Sequence, residues 1–173
     1  MFGSARRKAT KAATEAVRPL IKLLEITDGL PAGFWEDPYV LGYINGCIGL
    51  FAKLVTRGAV KGADMGYVMM DVLSDVSGRN GQEIVRNVIR LQQSKDAEYM
   101  RGIANADKCI SVTYGLTDYD QDPDVVEARR RAPVIRKELS SITGESSENA
   151  NAGAALQEML FYDVVRARFG LQE

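Results

Sequence analysis

The sequence predicts an all-α fold: a compact bundle of six to seven helices around a mostly buried, glycine-faced second helix. Three observations carry this expectation. Apolar residues recur with a helical period over nearly the whole chain. Start signals of the Asp-Pro and Asn-x-x-Glu kind stand just ahead of those periodic segments. The strand-like run at 109–114, where Ile110, Val112 and Tyr114 alternate, has no second run to pair with, so it is read as a helix end.

The first helix is expected over residues 4–26, with Val17, Leu20, Ile21 and Leu24 as its stripe. Pro19 inside it removes an amide and crowds the preceding turn, which predicts a break or kink. Residues 1–16 read as a basic, Ala-rich arm or helix start, and 17–173 as a single helical domain. Asp28-Gly29 and Pro31-Ala32-Gly33 mark a loop. Asp37-Pro38 reads as N-cap and first residue of helix two, with Gly58 as its C-terminal stop. Its apolar residues cover more than one face, as a central helix requires.

Helix three is expected over 59–76, with Met65, Met69, Val72 and Val76 on one side. Helix four follows an Asn80–Glu83 capping box. Ser94-Lys95-Asp96 is a short break or a continuation into helix five, which carries Tyr99, Ile103, Ala106 and Ile110. A loop over 116–124 leads into a sixth helix at Asp122-Pro123, with a kink expected at Pro133 and a stripe of Ile135, Leu139 and Ile142. The last helix is expected over 149–169, stopped by Gly170. It shows two stripes, Leu156/Leu160/Val164/Ala167 and Phe161/Val165/Phe169, which predicts two packing partners.

Composition excludes whole classes of chemistry. The chain has 173 residues and no histidine. That removes His-based triads, HExxH zinc sites and di-iron sites of the Glu-x-x-His type. The two cysteines, Cys47 and Cys109, are far apart in apolar segments, so no zinc is expected and buried thiols in a reducing, cytoplasmic setting fit best. A net charge of −1 supplies no global field for nucleic acid, which is not an expected partner.

Several clusters stand out as candidate sites. Gly42, Gly46 and Gly49 share a narrow arc of helix two, with Asn45 beside them. Each costs about 1 kcal/mol against alanine in a helix interior, so the arc must be repaid, most simply by close backbone approach. Tight packing inside the monomer, a seam between two copies and a cavity where a ligand backs onto bare backbone all fit. Gly58, Gly62 and Gly66 repeat the spacing. Phe34 and Trp35, in a loop, are a further candidate interface, or close the end of the core.

The acidic loop Asp118, Asp120, Asp122 is a candidate calcium site, although Pro123 and Arg129 stand where a calcium loop needs glycine and glutamate. Asp64, Asp71 and Asp75 share one face of helix three and are a candidate magnesium site, or simply a solvated face. Arg6, Arg7, Lys8 and Lys11 make a basic N-terminal segment suited to a membrane surface, or to an organelle transit peptide and an organelle matrix. With no catalytic motif visible, the expected function is a non-enzymatic module binding another protein or forming a homodimer. A divalent-cation or small-ligand site built from the aspartates is the alternative.

Overall fold

The computed structural model describes residues 2–117, 119–143 and 147–171, the side chains of Phe2 and 134–143 excepted. Asp118 and the side chains of the stripe Ile135/Leu139/Ile142 therefore lie outside the described residues. The fold is all-α: every regular element among the described residues is helical. By packing, the chain divides into two compact units, Met1–Ala104 and Asn105–Glu173.

Unit 1 is built on α1 (Phe2–Thr27), α2 (Pro38–Thr56), α3 (Ala63–Ser77) and α4 (Gly81–Gln93). The basic segment is the first half of α1, the helix start of the two readings. Ala9 and Ala13 are fully buried, in line with Val17, Leu20 and Leu24. α1 runs unbroken through Pro19. The reason is positional: Pro19 and Glu15, whose carbonyl loses its amide partner, both lie on the exposed face, where water satisfies the carbonyl.

α2 starts as expected. The Asp37 carboxylate accepts a 3.0 Å hydrogen bond from the Val40 amide, and Pro38 is the first helical residue. From Tyr39 to Ile44 every residue is buried; the last turns emerge, with Lys53 and Leu54 exposed. This 19-residue helix is long and apolar enough to cross a membrane by composition, but more than half of it is buried within the fold, as in the core helix of a bundle. It ends at Arg57 in the left-handed region, one residue before the expected stop. α3 begins at Ala63 rather than near residue 59, because Gly58 and Gly62 both take positive φ and hold the link in a turn.

α5 (Ala97–Tyr114) follows a real break at Ser94–Asp96, where Lys95 takes positive φ and the Asp96 carboxylate caps the Tyr99 amide. It stays helical through Tyr114, as the unpaired strand-like run implied. Unit 2 continues with α6 (Pro123–Thr143), α7 (Glu148–Gln157) and α8 (Asp163–Phe169). α6 also runs unbroken through its proline, Pro133, which is exposed.

α7 and α8 form one run joined by a π-helical turn, Glu158–Tyr162. A π turn inserts one residue and rotates everything after it. Leu156, Leu160, Phe161 and Val165 are buried, whereas Val164 is half-exposed and Ala167 exposed. The two apolar stripes of the sequence are thus one buried stripe that changes register at the π turn.

Candidate functional site

The carboxylates and the basic segment, which the sequence presents as separate candidates, meet each other. Arg6 donates to Asp71 at 2.8 Å and lies over the Tyr67 ring at 4.6 Å; Arg18 pairs with Asp75. The hydrogen bond to Asp71 raises the Arg6 pKa. Asp71 and Asp75 are therefore held by α1, and Asp64 adds its field to Arg6. Among the described residues, no group of three or more Asp, Glu or Cys side chains is placed to hold a metal ion.

The acidic loop is likewise occupied by the chain's own cations. Lys108, a residue the sequence reading passed over, is its hub. Its Nζ lies 2.8 Å from Asp122 and 2.7 Å from Asp124. The Asp122 carboxylate also accepts from the Asp124 and Val125 amides at 3.0 and 3.3 Å, capping α6. Burial is the strongest single influence on Lys108 and opposes its charge, but the two carboxylates outweigh it and raise its pKa. Asp122 mirrors this: burial pushes its pKa up, and the bonds from Lys108 and the two amides more than reverse that. Asp120 pairs with Arg129 beside a surface depression of about 300 Å³ floored by Val112 and Leu116. Arg130 and Arg131 both bind Glu127 and draw its pKa down to about 2.

The glycine arc divides. A Cβ on Gly42 would stand 2.1 Å from the Tyr99 carbonyl oxygen, and one on Gly102 would stand 2.3 Å from that of Tyr39. These two glycines let α2 and the first turns of α5 touch backbone to backbone. Gly46 is buried, and Gly49 faces open space. Asn45 donates to the Tyr99 hydroxyl at 2.5 Å. Phe34 and Trp35 are buried and meet edge to face, 5.1 Å between ring centroids. Of the six residues expected at an interface, only Asn45 and Gly49 retain exposed surface.

Compared with models of protein families, with curated proteins and with solved structures, the chain finds no match.

One cluster gains from the fold. Arg6 meets Tyr67 in the first half of α3 and Asp71 at its middle, and Arg18 meets Asp75 near its end, so α1 and α3 run the same way. The short link after α2 then places the end of α2, the start of α3 and the start of α1 at one end of unit 1. Arg7, Lys8, Lys53, Arg57 and Lys61 are all exposed there. Among the described residues none of them forms an ion pair, whereas Arg6, Lys11, Arg18 and Lys22 all do. Lys53, Arg57 and Lys61 carry no distinguishing pattern in the sequence; the return of α2 puts them at the same end of unit 1 as the N-terminal cations.

Proposed function

We propose that this protein is a non-enzymatic binding module whose working surface is the basic end of unit 1, and that its partner is anionic. The observation that carries the reading is the gathering, among the described residues, of five exposed cations outside any ion pair at that end, from three segments of the chain, while the other cations of α1 are paired with Asp71, Glu15, Asp75 and Glu25. Unneutralised like charge is unfavourable to the folded state by itself, and a complementary surface relieves it. The chain's net charge of −1 makes this a local field rather than a general one.

Heparin is the probe. The native chain is expected to be retained at physiological salt. The variant Arg7→Gln/Lys8→Gln/Lys53→Gln/Lys61→Gln is expected to elute at markedly lower salt with an unchanged circular-dichroism melt. A variant with Arg129, Arg130 and Arg131 all changed to Gln is expected to keep native retention at the same pH, because Asp120 and Glu127 already neutralise that segment. Flow-through of the native chain, or co-elution of the first variant with it, contradicts the reading.

A further inference from the structure

The basic end is not purely charged. Leu54 is 38 % exposed between Lys53 and Arg57, and Tyr67, next to Arg6, is 48 % exposed. Leu50, Phe51 and Val55 are half-buried on the same last turns of α2, and Met65 and Gly66 are half-buried early in α3. A phosphodiester backbone offers nothing to an aliphatic side chain held among lysines. The boundary between lipid headgroups and acyl chains offers it an apolar medium, suits a tyrosine ring, and lets lysine stems lie along apolar surface with their charges in the headgroups. Of the acids nearest this end, Asp71 binds Arg6, and Asp64, half-buried at the start of α3, is the single carboxylate set against the five cations.

We propose that the basic end of unit 1 docks on a bilayer containing anionic phospholipid, with Leu54 entering the headgroup boundary and Arg7, Lys8, Lys53, Arg57 and Lys61 lying over lipid phosphates and carboxylates. This inference rests on the binding reading above and commits it to a lipid surface. Each such cation near an anionic leaflet changes binding by about fivefold, and the attraction falls away within a Debye length.

The test is co-sedimentation of the full chain with phosphatidylcholine vesicles, with and without about 30 % phosphatidylserine, at about 50 mM and about 500 mM salt. Binding is expected only with phosphatidylserine and mainly at the lower salt. Lys53→Gln and Lys61→Gln should each weaken it about fivefold, and Arg86→Gln, an exposed cation of α4, should not. Leu54→Ser should weaken vesicle binding several-fold while leaving heparin retention unchanged. Heparin retention without vesicle binding overturns the lipid inference and leaves the binding reading standing; loss of both overturns both. Tighter binding to a duplex oligonucleotide than to phosphatidylserine vesicles also overturns the lipid inference, as does vesicle binding that Leu54→Ser and both lysine variants leave unchanged.

Discussion

Replacing Gly42 with alanine is expected to destabilise unit 1 by about 2–4 kcal/mol, whereas the same change at Gly49, two turns on, is expected to stabilise it by about 0.5–1 kcal/mol. Both positions lie on one arc of α2 and both are helical, so propensity favours alanine equally. The difference is the neighbour. At position 42 the new methyl would stand 2.1 Å from the Tyr99 carbonyl oxygen and 2.8 Å from its carbon, atoms of a backbone already committed to α5. Relief requires the two helices to separate. That would also strain the bond from Asn45 to the Tyr99 hydroxyl and the reciprocal fit of Gly102 against Tyr39 and Tyr43. At position 49 nothing lies within 4 Å. Urea unfolding of the two variants measures both signs. Equal effects would mean that the crossing of α2 and α5 is looser than described.

Asp122→Ala is the second substitution expected to cost heavily, about 2–3 kcal/mol. It removes the cap of α6, about 1 kcal/mol, and takes one of two carboxylates from the mostly buried Lys108, about 1–2 kcal/mol. Asp120→Ala is expected to stay within about 0.5 kcal/mol, since its pair with Arg129 is solvent-exposed on both sides. The pH dependence has a definite sign. The folded-state pKa of Asp122 is below its ordinary value of 3.8, so its contribution is fully present above that value and is lost as pH falls through the lowered one. Glu127 acts likewise, its contribution disappearing between about 4.5 and about 2. Acid titration followed by circular dichroism should therefore show an unfolding branch below about pH 4 that Asp122→Ala weakens. A native acid midpoint in that variant would remove Asp122 from the account.

Much of this fold is legible because local chemistry and tertiary structure agree. Asp37-Pro38, Asn80, Asp122-Pro123 and Gly170 mark helix ends through hydrogen bonds or φ values that those residue types favour. What escapes the sequence depends on packing. Proline's effect at 19 and 133 turns on which face is wet, and that is known only once the helix is docked. A π turn leaves no compositional mark, so a register shift in one stripe reads as two stripes. The partner of a charge is equally illegible at long range. Asp71 and Asp75 look like a solvated or metal-binding face until α1 is laid against them, and Lys108 is unremarkable until the loop after α5 folds back over it. The basic end is the converse case: its exposed cations come from segments whose chain positions differ by more than forty residues.

That assembly is most directly tested by mapping amide chemical shifts of the full chain by NMR during titration with a heparin oligosaccharide. Shifts are expected to cluster over residues 5–11 and 53–62, with α6 and the loop over 116–124 unmoved. Shifts centred on that loop or on α6, with the basic end silent, would contradict it.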